Sequence, residues 1–260
     1  MKVDLSGQVV VVTGAGRGIG KEIAKVAAEA GATAVLVSRT AAQLAAAVAE
    51  IEAAGGKAVA MPADLVEPAA AGAVIAQTLE RFGQIDVLVN NAATNYVANL
   101  VMAKADAWRD LYELNVFAVM RATQAAIKPM IRRKRGRVIN IGSVSGELGA
   151  AYNTAYASSK AAIDGFSRSV AKEVAKLGIT CNTIRPWHVD TELVHDAMAS
   201  RAKLFGKTAE DYMAMIVAQS PQQRLITARE VAALAVFLMS DDARGITGQS
   251  LNVCGGYAMG

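Results

Sequence analysis

Nothing in this chain restricts its fold more than a regular alternation of two textures. Short apolar runs recur along it: VVVVT at 9–13, TAVLVS at 33–38, KAVAMP at 57–62, IDVLVN at 85–90, RVINIGS at 137–143, ITCNTIRP at 179–186 and SLNVCGG at 250–256. Between them lie longer segments with apolar residues at helical spacing, ending near Ala30, Ala54, Phe82, Arg133, Leu177 and Met239. Runs that are apolar on both sides of the pleat belong to strands covered on both faces, and right-handed strand–helix–strand crossovers supply those covers. The pattern predicts an α/β fold, a doubly wound parallel sheet of seven strands with helices on both faces. No linker, low-complexity tract or internal repeat interrupts it, which predicts one domain over residues 1–260.

The composition suits such a fold: 53% of residues are apolar and 19% charged, enough to fill a large core and too few charges for disorder. Of the net charge of +4, the one clustered part is RRKRGR, Arg132 to Arg137. It lacks interleaved aromatics and reads as a solvated turn between helix and strand, so no nucleic-acid partner is expected. Cys181 and Cys254 sit far apart in apolar runs and read as small core residues. The start, MKVDLSGQVVVVTG, reaches a glycine turn too soon for a secretion signal, and no apolar run approaches the ~20 residues of a membrane span. A cytoplasmic location without membrane contact is the expectation. His188 and His195 lack metal-ligand spacing, so no metal is expected either.

One segment breaks the rhythm. Residues 187–226 are helical in pattern and carry Leu193, Val194, Met198, Phe205, Tyr212, Met213, Met215 and Ile216. An insertion after a strand's carboxyl end lies where open α/β sheets bind ligands, so this stretch packs on the body or forms a substrate lid. After the first strand comes TGAGRGIG, Thr13 to Gly20. Its glycines permit a tight turn and close approach of a pyrophosphate to a helix N-terminus, the arrangement of a Rossmann-like dinucleotide site. The second strand ends in Ser38 and Arg39, with no carboxylate to accept hydrogen bonds from a ribose 2′-hydroxyl. Arg39, with Arg17 from the turn, suits a phosphate there and favours NADP(H) over NAD(H).

Taken together, TGAGRGIG, NNAA at 90–93, Asn115 in LYELNVF, GSVSG at 142–146 and YASSK at 156–160 resemble the short-chain dehydrogenase/reductase family, in order and along essentially the whole chain. The resemblance implies a catalytic tetrad of Asn115, Ser143, Tyr156 and Lys160. Ser143 would hold a substrate oxygen, Tyr156 would give or take its proton, and Lys160, one helical turn on, would favour the tyrosinate and bind the nicotinamide ribose. Asn115 would support a water linking the lysine to solvent. Implied cofactor contacts are Gly14, Arg17, Gly18, Ile19 and Gly20 in the turn, then Ser38 and Arg39. Asp64 and Leu65 would lie beside the adenine, with Asn90, Asn91 and Ala92 lining the cleft. Tyr156, Lys160, Pro186, Val189 and Thr191 would surround the nicotinamide end.

Ser145, Tyr152, Trp187 and His188 are candidate substrate contacts. Two departures stand out: Ala93 replaces the family's glycine, and Trp187 follows Pro186 where the family has glycine. The indole is expected to narrow or reshape the pocket beside the nicotinamide. The function implied is a reductase of ketones, reversible with secondary alcohols. Alternatives are a 3-oxoacyl thioester reductase served by acyl carrier protein or CoA, and a non-catalytic dinucleotide sensor. Family members commonly form tetramers through their two long helices (about 106–133 and 155–177) and last strand, so a homotetramer is expected.

Overall fold

The computed structural model describes residues 3–259, so the outermost residues of the 1–260 reading (Met1, Lys2 and Gly260) lie outside the described residues. Strands form at β1 (Val9–Thr13), β2 (Thr33–Ser38), β3 (Lys57–Pro62), β4 (Val87–Asn90), β5 (Gly136–Ile141), β6 (Ile179–Pro186) and β7 (Ser250–Val253). They make one parallel sheet in the order β3-β2-β1-β4-β5-β6-β7. The first helices are α1 (Gly18–Glu29), α2 (Ala41–Ala53), α3 (Ala70–Phe82), α4 (Ala105–Tyr112) and α5 (Ala118–Arg133). The rest are α6 (Ser145–Leu148), α7 (Thr154–Val174), α8 (Glu192–Leu204), α9 (Ala209–Val217) and α10 (Ala228–Met239).

Strand periodicity divides the core. Val10, Val12, Ala34 and Leu36 point to one face of the sheet, where they meet Ile23, Ala24 and Ala27 of α1 and Val231, Ala232 and Ala235 of α10. Val9, Val11, Val35 and Val37 point to the other, against Ile75 of α3, Ala122 and Ala126 of α5 and Val170 of α7. Each such side chain, fully buried, contributes roughly 1.5–3 kcal/mol, which is why both faces of these strands are β-branched or aliphatic. α10 starts on a capping box: the Thr227 hydroxyl accepts from the Glu230 backbone N–H, and the Glu230 carboxylate accepts from the Thr227 backbone N–H.

Several elements differ from expectation. The stretch expected as one helix over 106–133 is α4 and α5 joined by a π-helical turn, Glu113–Phe117, which contains Asn115. β4 begins at Val87, because Asp86 turns its carboxylate inward to accept from the Val9 backbone N–H at 2.8 Å and from Arg133 at 2.8 Å. The RRKRGR run turns from α5 into β5 with residues 132–135 exposed, as expected, but it is tied down by ion pairs. Arg133 holds Asp86, Arg137 is buried and reaches Asp241 at 3.0 Å, and Arg135 reaches the same carboxylate at 3.2 Å. Cys181 and Cys254 are free and buried. No helix among the described residues is long and apolar enough to cross a membrane. In 187–226, Met198, Ala202, Tyr212 and Ile216 pack on the core, and an isolated bridge joins Val189 to Ile226.

Candidate active site

β1 is flanked by β2 on one side and β4 on the other, so the order of winding reverses between them. Such a switch point leaves a crevice beyond the carboxyl ends of the strands. A cleft of about 600 Å³ opens there.

Its floor is the glycine turn. Gly14 and Gly18 take left-handed φ of +64° and +56°, which β-carbon-bearing residues resist. A β-carbon on Gly20 would stand 2.5 Å from the Gly14 carbonyl oxygen and against the Asn91 amide nitrogen. Asn91 fixes the turn by donating to the carbonyls of Thr13 and Gly14 at 2.9 and 3.1 Å. Gly14, Arg17, Gly18 and Ile19 line the cleft, as do Asn91 and Ala92. Gly20 is buried beneath them. Asn90, expected at the wall, points into the core instead, where it donates to Thr123 and Asn140, because successive strand residues face opposite ways.

At the far end stand Ser38 and Arg39. The Ser38 hydroxyl is buried with no hydrogen-bond partner in the protein, and Arg39 is largely exposed, its nearest carboxylate Asp64 at 3.8 Å. Arg17 pairs with Glu192 at the start of α8, so one end of the 187–226 segment is clasped to the turn. An orphaned hydroxyl, two guanidinium groups and a backbone cradle fit a dinucleotide carrying a ribose phosphate. The Leu65 side chain packs in the core, and Asp64, partly exposed beside Arg39, caps its own turn by accepting from the Val66 N–H.

At the cleft's inner end, β5 delivers Ser143 just past its carboxyl end, and one face of α7 delivers Tyr156 and Lys160. Ser143 hydrogen-bonds the phenol, and its oxygen also accepts from the Ser145 N–H at 3.1 Å. Lys160 is buried, its ammonium donating to the Ile141 carbonyl at 2.7 Å and lying 5.5 Å from the centre of the Tyr156 ring. Burial pulls the lysine down to about 8, with Asp164 opposing. Burial pushes Tyr156 above its ordinary value, while the Ser143 hydrogen bond and the charge of Arg201 pull it back. Arg201 thus adds its charge to that of the Lys160 ammonium already beside the ring. Asn115 is buried in the π-helical turn; it accepts from the Thr94 N–H at 2.8 Å and donates to the Thr94 carbonyl and to Ser159. Among the described residues no direct hydrogen bond joins it to Lys160.

Pro186, Val189 and Thr191 line the cleft, and Trp187 lines both it and a smaller adjoining chamber of about 70 Å³. The indole stacks on Tyr257 at 5.1 Å and meets the edge of His188 at 4.8 Å. Ser145 and His188 line the chamber. Burial, aided by Arg201, lowers His188 to about 4, so its ring is neutral near pH 7. His195 instead pairs with Asp190 at 2.7 Å. Tyr152 departs from expectation: it takes a left-handed φ of +62° and packs edge-on against Phe205, away from both cavities. Asn95, Asn153 and Arg201, which the sequence reading passed over, complete the chamber. For Arg201 a signal existed, since it follows Val194 and Met198 at helical spacing and so occupies the apolar face of α8.

A family profile described as short chain dehydrogenase matches residues 8–202. The chain belongs to the short-chain dehydrogenase family. Among curated relatives it is 37% identical over 257 residues to the 3-oxoacyl-[acyl-carrier-protein] reductase FabG of Escherichia coli (strain K12), covering 99% of this chain and 100% of the relative. It is 38% identical over 259 residues to the 3-oxoacyl-[acyl-carrier-protein] reductase of Synechocystis sp., covering 98% of each. Among solved structures, a variant actinorhodin polyketide ketoreductase with NADPH superposes with a TM-score of 0.94 at 32% identity, over 99% of both chains.

Proposed function

We propose that this protein is an NADP(H)-dependent oxidoreductase that interconverts a ketone and a secondary alcohol. The observation that carries the reading is one cleft with two ends. Tyr156 and Ser143 stand at one, with Lys160 behind them, and the glycine cradle with Ser38 and Arg39 stands at the other. Relatives named as ketone reductases, one of them solved with NADPH, support it. NADPH held along this cleft would supply the hydride that the protein itself cannot. The cradle from Gly14 to Gly20 would take the pyrophosphate, and Ser38, Arg39 and Arg17 the ribose phosphate.

In reduction, Ser143 donates a hydrogen bond to the carbonyl oxygen and holds the carbon toward the cleft. As that carbon gains the hydride, Tyr156 passes its phenolic proton to the oxygen. Oxidation runs the same transfers backward. Lys160 has one donor on Ile141 and two free to hold the nicotinamide ribose beside Tyr156. Asn115 positions the loop from Thr94 rather than touching the reactants. Residues 187–226 form the substrate lid of a single domain, and Trp187 forms the pocket wall. Exposed Phe117 and Ile131 on the α4–α5 side support a homotetramer, and the cytoplasm is its proposed location.

Screening NADPH oxidation against chemically diverse ketones, with NADH in parallel, tests the reading. Turnover with NADPH preferred supports it. No turnover with either dinucleotide, despite NADPH binding, would favour a sensor.

The identity to acyl-carrier-protein reductases supports a second reading, a 3-oxoacyl thioester reductase. Among the described residues the five cations of the basic run meet only two carboxylates, Asp86 and the Asp241 that Arg135 and Arg137 share, so positive charge remains there for an acidic carrier. Salt-sensitive activity on carrier-bound but not free substrates would establish this reading.

A further inference from the structure

Arg201 has no place in the chemistry just described. Its side chain is buried, 9% of the residue being exposed, yet among the described residues no carboxylate lies within 4 Å of it. Its Nε has no hydrogen-bond partner. One fixed contact is the Asn153 amide. Oriented so that its nitrogen donates to Asn95 Oδ1 at 2.6 Å and the Tyr96 carbonyl at 3.2 Å, that amide accepts from Arg201 Nη2 at 3.0 Å. A guanidinium removed from water without a counter-charge costs several kcal/mol. Val194 and Met198, its neighbours on the same face of α8, show that an aliphatic residue would fit that face.

The remaining polar groups of the chamber carry no negative charge. They are Asn95, Asn153, Ser143, Ser145, Tyr156 and His188, the last neutral for the reason given above. Ser143, Tyr156 and Trp187 line both the chamber and the main cleft. A substrate whose carbonyl meets Tyr156 therefore has the hydride source on one side and Arg201 on the other. Resting on the ketone-reductase reading, we propose that Arg201 is a carboxylate anchor and that the substrate is a short oxo acid, its carboxylate a few bonds from the ketone. A guanidinium suits this task because its planar fork binds both carboxylate oxygens. The small chamber admits the carboxylate and a short spacer. A carrier-bound thioester brings no charge there and would leave Arg201 uncompensated.

The test compares 2-oxobutanoate, 3-oxobutanoate and 4-oxopentanoate with their methyl esters, using NADPH and the native, Arg201→Met and Arg201→Lys proteins. For at least one chain length, kcat/KM for the acid should exceed that for its ester by roughly 10- to 100-fold, the scale of a charge-assisted contact. In Arg201→Met the ratio should fall to about one or below, with Arg201→Lys retaining part of it. Any influence of Arg201 on Tyr156 acts on acid and ester alike and cancels in the ratio. Acids no better than esters, or a preference that survives Arg201→Met, overturns the anchor while ketone reduction stands. If no ketone is reduced, the ketone-reductase reading fails, and calorimetric titration of the three acids into native and Arg201→Met protein still decides the anchor. Binding that weakens at least tenfold in the variant supports it, and absent or unchanged binding refutes it.

Discussion

Replacing Arg39 with alanine removes one of two guanidinium groups proposed to hold the ribose phosphate of NADPH. A hydrogen bond to a charged partner contributes about 1.5–3 kcal/mol. Arg39 sits at the low end of that range, since its side chain is 71% exposed and its attraction is screened. Engaging the phosphate also competes with Asp64, 3.8 Å away, an exposed pairing that holds Arg39 by about 0.2–1 kcal/mol. The net loss is about 1–2 kcal/mol, or roughly 5- to 30-fold in kcat/KM for NADPH. NADH has no phosphate there, so the NADPH-to-NADH ratio of kcat/KM should fall by the same factor. Initial rates with both dinucleotides, at low salt and near 0.5 M salt, make the measurement, and the gap between native protein and variant should shrink as salt rises. Equal losses for NADPH and NADH, or a gap that widens with salt, would refute the assignment of Arg39 to the phosphate.

Gly20→Ala forces a β-carbon against backbone that cannot give way, 2.5 Å from the Gly14 carbonyl oxygen. It should cost about 1–3 kcal/mol of stability and remove measurable NADPH binding, read by thermal melting and calorimetry. Lys160→Met should be inactive yet more stable at pH 7 by on the order of 3 kcal/mol, because burial lowers the lysine from 10.5 to about 8. The unfolded chain binds the extra proton between those values, so the native protein's penalty is full below pH 8 and disappears as pH rises toward 10.5; chemical denaturation across that window should show the variants converging. Trp187→Gly removes an indole stacked on Tyr257, should cost about 3–5 kcal/mol, and should shift preference toward bulkier ketones in a substrate panel.

The strands were legible because both faces of the sheet are covered, which makes each strand a nearly continuous aliphatic run. Asp86 was read into β4 because its inward carboxylate, bonded to Val9 and Arg133, leaves no mark in composition. The ion pairs of the basic run are hidden for the same reason: Asp86 and Asp241 are distant in sequence from the arginines they meet. The π-helical turn at Asn115 was hidden, since LYELNVF has ordinary helical spacing. At the site, motif spacing brought Ser143, Tyr156, Lys160 and the glycine turn into one cleft. It failed where side-chain direction decides, as with Asn90 turned inward and Tyr152 against Phe205. Arg201 shows the limit most plainly, because a cation on an apolar helix face gains meaning only from what stands opposite it.

Proton transfer by the Tyr156 hydroxyl is tested most directly by Tyr156→Phe in complex with NADPH. Calorimetry should find NADPH binding within about threefold of native, while single-turnover reduction of the best ketone slows by roughly 10²- to 10⁴-fold, the range for loss of a positioned acid. Reduction by the phenylalanine variant at a rate within a few-fold of native would show that another group delivers the proton.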